Sequence, residues 1–435
     1  MYQEEAIMKT GNDKFSDELS GMRRDAEAII RGTIEDVLPT KAVRKALREI
    51  TLERPIYVLA IGKAAWVMAD EAASILGNHI VGGIVVTKYG HSKGEIPGFR
   101  IIESGHPMPD ENSVMAASEV LKMADKMTEN DQALILLSGG GSSLAEIPAP
   151  GLTLEDLRNV TEVLLKCGAD IVEINTLRKH LSGIKGGKLA KHILPASGCA
   201  VILSDVVGNH PEMIASGPTY TDNTDADDVM EVIKKHNLNL SDNVLEVLKE
   251  SRETVVCNVK NIVEGSVDEL CHAASAHAAK QGYAPYIIAS DIGCEAKELG
   301  ERFASMGWEY LNGKSKDVRY PCAFIIGGET VVKVTGDGLG GRNQEIALYA
   351  AKGLKGLDNV VLFSLASDGT DGPTDAAGGI VDGMTVQRME DIGMDVEQYL
   401  YNNDAYHALK SVGDLIITGP TGTNLNDVTV MLVKK

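Results

Sequence analysis

A glycine-dense segment around Arg342, residues 335–345, holds the side chains of this sequence best suited to binding an anion. It reads Thr-Gly-Asp-Gly-Leu-Gly-Gly-Arg-Asn-Gln-Glu, so four glycines precede the guanidinium and a carboxylate follows it. A guanidinium presents a rigid planar fork of donors that matches phosphate or carboxylate oxygens. The segment therefore predicts a loop whose backbone approaches a charged ligand while Arg342 binds it.

The same glycines spell G-x-G-x-x-G at positions 336–341, the pattern of a dinucleotide-binding turn. Such a turn directly follows a parallel strand and opens a helix. Residues 330–335 are predicted to form a strand, but Gly327, Gly328 and Glu329 before them predict a hairpin turn and hence an antiparallel strand. The match is therefore interpreted as an anion-binding loop and not as a dinucleotide site.

Two turns in the first half of the chain leave predicted buried strands and carry groups that bind anions. Lys63 lies on the first turn of a helix that follows the strand predicted at 55–62. The turn after the strand at 133–137 predicts an anion-binding nest of backbone amides and hydroxyls. Its members are Ser138, Gly139, Gly140, Gly141, Ser142 and Ser143. A solvated surface lysine and a simple tight turn are the respective alternatives.

A basic segment and a strand-end acid add further candidates. Residues 176–192 contain five cations and no carboxylate in a chain of net charge −20, which favours an electrostatic funnel for an anionic substrate. Arg178 and Lys185 are its candidate contacts, and a solvated helix face is the alternative. Asp205 ends the strand predicted at 199–203, where open α/β sheets bind ligands, and Asn209 follows it. Asp205 is predicted to accept a hydroxyl proton or hold a metal, or else to form a turn.

An acidic glycine loop at 367–375 follows the strand predicted at 360–365. Its carboxylates resemble an oxygen-rich site for Mg²⁺, and Asp368 and Asp371 are the candidate metal ligands. A turn cluster without an ion is the alternative. His106, between Gly105 and Pro107, is a candidate ligand contact or simply a rigid loop residue.

These groups complement one another chemically. Phosphoryl transfer needs cationic charge on the phosphoryl oxygens, a metal on the nucleotide phosphates and a positioned acceptor hydroxyl. The sequence therefore predicts a phosphotransferase with a small anionic acceptor.

The elements that position these groups indicate two α/β domains. Short apolar runs alternate with amphipathic stretches in the first half, which is typical of a doubly wound parallel sheet. Later strands are often separated by glycine turns, which predicts a mixed sheet with antiparallel hairpins. The predicted domains are residues 1–250 and 251–435, and helix N-caps are predicted at Asp110 and Thr153.

Composition narrows the class of partner. The 435 residues carry 42 Lys plus Arg against 62 Asp plus Glu, which disfavours a nucleic acid or an anionic membrane as partner. The six cysteines are scattered without a C-x-x-C pair, as expected of thiols in a reducing compartment. No signal-peptide pattern and no membrane-spanning apolar run are found, so a cytoplasmic protein is predicted.

Eight motifs in one order resemble those of the glycerate 2-kinase family, whose C-terminal half is called the MOFRL domain. The likeness extends from about residue 24 to 433. The motifs are Ile-Gly-Lys-Ala-Ala at 61–65, Gly-His-Pro-Met-Pro-Asp at 105–110, Leu-Ser-Gly-Gly-Gly-Ser-Ser at 137–143, the basic segment at 175–188, Ser-Asp-Val-Val-Gly-Asn at 204–209, Gly-Gly-Glu-Thr at 327–330, Gly-Gly-Arg-Asn-Gln-Glu at 340–345 and Ser-Asp-Gly-Thr-Asp-Gly at 367–372.

This resemblance implies ATP-dependent, Mg²⁺-requiring phosphorylation of D-glycerate at its 2-hydroxyl, giving 2-phosphoglycerate. It implies a Rossmann-like first domain and an active site in the cleft between the domains. The family's functional Lys, Asp and Arg fall on Lys63, Asp205 and Arg342. Asn343 and Glu345, beside the arginine, are further candidate contacts to substrate or phosphate, and a homodimer is a further expectation.

Two other functions stay open at this point. Some relatives in the family have been labelled hydroxypyruvate reductases, so an NAD(P)H-dependent reductase is one alternative. A non-catalytic protein that binds a small anion is the other.

Overall fold

The computed structural model describes residues 17–204, 211–311 and 318–435. The described residues form two compact units. Pro39–Glu264 form the first unit, and residues 17–38 together with Gly265–Lys435 form the second.

The first unit is built on a six-stranded sheet in which all strands are parallel, in the order β3-β2-β1-β4-β5-β6. Its strands are β1 (Ile56–Ile61), β2 (Ile80–Lys88), β3 (Phe99–Ser104), β4 (Gln132–Leu137), β5 (Ser197–Ile202) and β6 (Val259–Val263). Strand β1 is apolar throughout because both of its faces are covered: Leu59 and Ile61 join one core cluster, and Val58 and Ala60 join the other. The predicted doubly wound parallel sheet is thus confirmed.

The second unit is built on a mixed six-stranded sheet in the order β11-β10-β9-β12-β8-β7. Its strands are β7 (Ala284–Ile292), β8 (Cys322–Gly328), β9 (Val360–Ala366), β10 (Gly378–Asp382), β11 (Leu415–Ile416) and β12 (Asp427–Val433). β7 and β8 are parallel, and the other neighbouring pairs are antiparallel. The predicted mixed sheet is confirmed.

Sixteen helices connect and cover these strands within the described residues. They are α1 (Asp17–Asp36), α2 (Pro39–Glu49), α3 (Ala65–Leu76), α4 (Glu111–Ala124), α5 (Gly141–Leu144), α6 (Leu154–Lys166), α7 (Ile171–Leu181), α8 (Lys188–Ile193), α9 (Ala226–Lys235), α10 (Asp242–Lys249), α11 (Val267–Lys280), α12 (Ala296–Leu311), α13 (Arg342–Leu354), α14 (Thr385–Asp391), α15 (Val396–Tyr401) and α16 (Ala405–Ser411). The predicted N-caps are present, because Asp110 and Thr153 each form a capping box with the third residue of α4 and α6. None of the helices in the described ranges combines the length and hydrophobicity needed to cross a bilayer.

The predicted division at residue 250 differs from the observed units at both ends of the first one. Helix α1 belongs to the second unit, because Leu19 and Met22 join the core cluster of its sheet and Arg23 forms buried ion pairs with Asp382 and Asp414. At the other end, β6 pairs with β5 and carries the first unit on to Glu264.

The hairpin predicted at 327–335 is wrong. Gly327 and Gly328 are the last residues of β8, and the residues after them form no strand beyond a single parallel bridge between Val331 and Glu295. Val331 and Val334 are exposed, so the valines there do not mark a buried face. The glycine-dense segment therefore enters α13 from an irregular connection, and no strand directly precedes the G-x-G-x-x-G pattern.

Candidate functional site

Two of the predicted anion-binding turns meet at the carboxyl edge of the first sheet. Lys63 follows β1, and the glycine turn follows its neighbour β4, at the point where the strand order reverses. The backbone N–H of Lys63 donates to the carbonyl of Gly139 at 2.9 Å, and the N–H of Ala64 donates to the Oγ of Ser138 at 3.1 Å. Open α/β sheets bind ligands at such a switch point.

Gly140 brings Lys63 and His106 together. Its φ of +84° lies in the left-handed region that favours glycine. A Cβ there would lie 2.9 Å from Cδ2 of His106 and 3.3 Å from Cε of Lys63. Three of the predicted residues are thus neighbours around one glycine backbone.

The serines of the glycine turn hold its shape. Gly141 begins the single turn of α5, and Ser143 Oγ donates to the carbonyl of Gly140 at 3.2 Å. Ser142 Oγ lies 2.9 Å from the Oγ of Ser216, which in turn donates to Oδ1 of Asn175 at 2.8 Å. These contacts fix the backbone that faces Lys63.

A cavity of about 240 Å³ opens beside this turn. Five predicted residues line it: His106, Gly140, Ser142, Ser143 and Arg178. Its apolar wall includes Met108, Leu157, Val160 and Leu181, which come from the loop after β3 and from α6 and α7. The apolar wall was not predicted from the sequence.

Charges around the cavity differ from what residue types alone suggest. Burial, together with the nearby Lys63, lowers the pKa of His106 to about 4, so this side chain is neutral at neutral pH. Burial also lowers the pKa of Arg178, against the attraction of Glu146, and its guanidinium has no hydrogen-bond or ion-pair partner among the residues the structure describes. Arg178 is therefore a desolvated cation facing the cavity.

Lys185, predicted as a substrate contact, is instead fully buried and is not among the residues that line the cavity. Its ammonium donates to Glu146, which also accepts from the Oγ of Ser182 at 2.6 Å. Lys179 pairs with Asp222 at 3.4 Å. Carboxylates distant in sequence thus neutralise part of the basic segment. Of its two predicted substrate contacts, Arg178 lines the cavity and Lys185 does not.

Arg342 is held by two carboxylates of the second unit. It is the first residue of α13, and its Nε and Nη2 donate to Oδ2 and Oδ1 of Asp427 at 2.5 and 3.0 Å. Its Nη1 donates to Glu329 at 2.8 Å. About a third of the Arg342 side chain stays exposed, whereas Asp427 is buried. The guanidinium is thus oriented by a bidentate pair and still accessible.

The environment of this pair shifts both pKa values. Burial raises the pKa of Asp427 to about 6, although the hydrogen bonds from Arg342 oppose the shift. Burial alone would lower the pKa of Arg342, but Asp427 and Glu329 outweigh it and raise that pKa. The ion pair is therefore complete only above about pH 6.

Asp371 anchors the start of α13. Its carboxylate accepts from the backbone N–H groups of Asn343 and Gln344 at 3.1 and 2.9 Å, and from both of their side-chain amides. Asp368 accepts from the N–H and the hydroxyl of Thr370, as in an Asx-turn. Within the described residues, no group of three or more His, Cys, Asp or Glu side chains is arranged to hold a metal ion. Both predicted metal ligands therefore take part in local structure, as the turn alternative predicts.

Asn343 and Glu345 also support α13. Asn343 is buried and accepts from the Oγ of Ser364 at 2.6 Å. Glu345 accepts from Nδ2 of Asn403 at 3.2 Å, and burial raises its pKa. The contacts of both side chains hold the helix that begins with Arg342.

Two predicted residues, Asp205 and Asn209, lie outside the described residues. Sequence reasoning in turn missed Asp427 and Glu146. Each is an acid with an unremarkable local sequence, and only a contact over a long sequence separation gives it meaning.

Comparison with known proteins identifies the family of this chain. Residues 25–249 match a domain of unknown function (DUF4147), and residues 322–427 match the MOFRL family. The chain is 47% identical to the D-glycerate 2-kinase of Thermotoga maritima, over 95% of this chain and 98% of that protein. A protein of Agrobacterium vitis called a putative hydroxypyruvate reductase is 39% identical, over 86% of this chain and 98% of that protein.

A solved structure extends the similarity to three dimensions. The crystal structure of the glycerate kinase from Thermotoga maritima matches with a TM-score of 0.92 at 46% identity, covering 95% of this chain and all of that one. The chain therefore belongs to the glycerate 2-kinase family of phosphotransferases.

Proposed function

We propose that this protein transfers the γ-phosphoryl group of ATP to the 2-hydroxyl of D-glycerate, giving 2-phosphoglycerate and ADP. The observation that carries the proposal is the placement of Lys63 beside Gly140 and His106 at the switch point of the parallel sheet, in a chain of this family. Lys63 forms no hydrogen bond or ion pair through its ammonium to any residue in the described ranges, so its charge is available to a ligand.

The residues take complementary roles in this proposal. Lys63 and Arg342 stabilise negative charge on the substrate carboxylate or on the transferring phosphoryl group. The backbone of 139–143 binds an anionic group. His106 is neutral and acts through hydrogen bonds. Asp205 orients or deprotonates the acceptor hydroxyl.

Asp427 and Glu329 keep the Arg342 guanidinium in one orientation, and Asp371 fixes the backbone that carries it. A charge-stabilising group acts best when it is oriented before the reaction, because no reorganisation is then needed in the transition state. That preorganisation is the part of the chemistry that the second unit supplies.

ATP is the phosphoryl donor of a kinase, and Mg²⁺ is its expected companion. Mg²⁺ usually keeps several waters and binds through one or two carboxylates plus the substrate phosphates, so a preformed protein cage is not required. Asp371 has its oxygens occupied by the start of α13, whereas Asp368 uses Oδ1 for Thr370 and keeps Oδ2 for a ligand. We therefore assign Mg²⁺ to Asp368, where it would neutralise charge on the nucleotide phosphates.

The small molecules D-glycerate and ATP are the proposed partners, and no nucleic-acid or membrane partner is proposed. A homodimer, a cytoplasmic location and a shared active site formed by both units stay predictions.

A hydroxypyruvate reductase is disfavoured by the structure of the glycine-dense segment, since no strand directly precedes 336–341. Because some relatives are named putative hydroxypyruvate reductases, the reductase reaction is measured as a control. Loss of NADH absorbance with hydroxypyruvate would favour the reductase, and binding of glycerate without any turnover would favour an anion-binding protein.

The test of the proposed function is incubation with ATP, Mg²⁺ and D-glycerate, followed by ³¹P NMR of the products. We expect 2-phosphoglycerate and ADP in equal amounts. Formation of 3-phosphoglycerate would correct the position of transfer, and absence of both phosphoglycerates would refute the proposal.

A further inference from the structure

The cavity beside the glycine turn is larger and more apolar than the acceptor alone requires. Its volume of about 240 Å³ is many times the ~10–15 Å³ that a single water needs. Leu157, Val160 and Leu181 contribute to its apolar wall. D-Glycerate carries a carboxylate and two hydroxyls on three carbons and has no apolar face to place against this wall. A ligand with a sizeable apolar part fits better.

The charge of the cavity points to a ligand that is also anionic. Glu146 lines the cavity, but the buried ammonium of Lys185 compensates its charge. His106 is neutral because burial and the nearby Lys63 lower its pKa. Among the described residues, Arg178 is a desolvated cation without a hydrogen-bonded or ion-paired partner, and burying such a charge is unfavourable until an anion pairs with it.

Gly140 connects the cavity to Lys63, the residue proposed to stabilise charge during transfer. His106 and Gly140 line it, and Lys63 lies beside the same glycine. A ligand that extends from the apolar wall therefore reaches Lys63 with its other end. A nucleoside triphosphate fits these features, because its nucleoside end can lie against an apolar wall while its polyphosphate brings negative charge to Arg178 and Lys63.

We propose that this cavity holds the nucleoside end of the phosphoryl donor, with the base against Leu157, Val160 and Leu181 and with Arg178 on a phosphate of the same nucleotide. The polyphosphate then runs past Gly140 towards Lys63. This inference rests on the proposed function, and it assigns the nucleotide to the unit formed by Pro39–Glu264.

Filling the cavity tests the proposal. Thr161 lies on α6, lines the cavity and is only partly buried, so Thr161→Trp adds a ring to the cavity without replacing a core residue. Leu165→Trp is the matched control, because Leu165 lies one turn further on the same helix, is exposed and does not line the cavity. Binding of ATP and of adenosine to the full-length variants is measured by calorimetry without acceptor, so that no turnover occurs.

We expect Thr161→Trp to raise the Kd of both ATP and adenosine at least ~10-fold, the loss of about 1.4 kcal/mol of binding. The KM for ATP should rise in parallel while the KM for D-glycerate stays within about twofold, as should every constant of the control. Unchanged binding of ATP and adenosine, or a rise confined to the KM for D-glycerate, would overturn the proposal.

Arg178→Met provides a second variant that does not fill the cavity. Loss of a charge-assisted hydrogen bond should raise the Kd for ATP roughly 10- to 100-fold and leave that for adenosine unchanged. An unchanged Kd for ATP would remove Arg178 from the phosphate site. If the wild-type protein makes no phosphoglycerate but Thr161→Trp still weakens ATP binding, the proposed function fails and the nucleotide site stands.

Discussion

The carboxylate that holds Arg342 gives the sharpest test of the site in the second unit. Asp427→Asn keeps the size of the side chain but removes its charge and its ability to titrate. In the wild-type protein, Asp427 accepts two hydrogen bonds from Arg342 while buried, and burial raises its pKa from the ordinary 3.8 to about 6. The substitution therefore changes stability by an amount that depends on pH.

The sign follows from the raised pKa. Between about pH 4 and 6 the folded protein keeps a proton on Asp427 that the unfolded chain has already lost, so folding is favoured by low pH in this window. This contribution is complete below about pH 4 and is lost as the pH rises through about 6. The distance from 3.8 to about 6 corresponds to about 3 kcal/mol at ~1.36 kcal/mol per pH unit. The free energy of unfolding of the wild type relative to Asp427→Asn should therefore fall by about 3 kcal/mol between pH 4 and 7.

The two tryptophans allow this measurement to be confined to the relevant unit. Trp66 lies in the first unit and Trp308 in the second, the unit of Asp427. In a Trp66→Phe background, urea unfolding followed by Trp308 fluorescence from pH 4 to 8 reports the second unit. Taking the difference between two proteins that differ only at Asp427 removes the titration of the other acids.

Kinetics supply an independent readout of the same residue. Protonated Asp427 no longer offers two acceptor oxygens to Arg342, so kcat of the wild type should fall below about pH 6. Asp427→Asn should lack this acid limb and show a kcat lower by about 100-fold at pH 8, the cost of a misplaced catalytic group. A difference in unfolding free energy that is constant with pH, or that grows as the pH rises, would refute the reasoning, as would an acid limb that persists in the variant.

Three further substitutions test other contacts of the described site. Arg342→Lys keeps the positive charge but removes the planar fork of guanidinium donors. We therefore expect kcat to fall roughly 100- to 1,000-fold in the phosphoryl-transfer assay. Near-normal turnover would contradict the role of Arg342. Glu146→Gln leaves the Lys185 ammonium buried without its carboxylate, which should cost about 3–5 kcal/mol in urea unfolding followed by fluorescence. Adding Lys185→Met should recover part of this loss, and a double variant less stable than the single one would argue against an ion pair. Gly140→Ala places a Cβ against His106 and strains a positive φ. We expect the free energy of unfolding, measured by thermal unfolding, to fall by about 1–3 kcal/mol and kcat to fall as well. Wild-type values for both would contradict the close approach.

Much of the fold could be predicted because the signal lies in consecutive residues. Apolar runs such as β1 and β4 are buried on both faces, so they stand out against amphipathic helices without any knowledge of their partners. Strand β6 was missed because it is a half-exposed edge that contains Lys260 and Asn261. Strand β10 was missed because it begins with two glycines, and a Cβ on Gly378 would lie 1.9 Å from the carbonyl oxygen of Ser364 in the neighbouring strand. In these cases packing overrides local preference.

In the candidate site, too, features set by consecutive residues could be predicted and contacts between distant residues could not. Lys63 and the turn at 138–143 could be predicted because they follow buried strands, and parallel strands present their carboxyl ends at one edge. The contact between Arg342 and Asp427 could not be predicted, because Asp427 lies 85 residues further along the chain. The pairing of β12 with β8 and β9 brings it into place. In the acidic loop at 367–375, the sequence shows the candidate metal ligands but not which of them is used by local structure. Its density of carboxylates is visible in the sequence, but the amides of α13 that Asp371 binds are not.

The acidic composition and the need to bind anions are reconciled by the pairing of the cations. A net charge of −20 would repel an anionic substrate if the charges were spread evenly. Within the described residues, the cations predicted to bind anions fall into two groups. Lys185, Lys179 and Arg342 are each compensated by a carboxylate, and these pairs shape the structure or orient a guanidinium. Lys63 and Arg178 have no such partner, and both lie beside the cavity at the switch point. Because Lys185 neutralises Glu146 beside the cavity, Lys63 and Arg178 add positive charge there, which favours an anionic ligand such as the proposed polyphosphate.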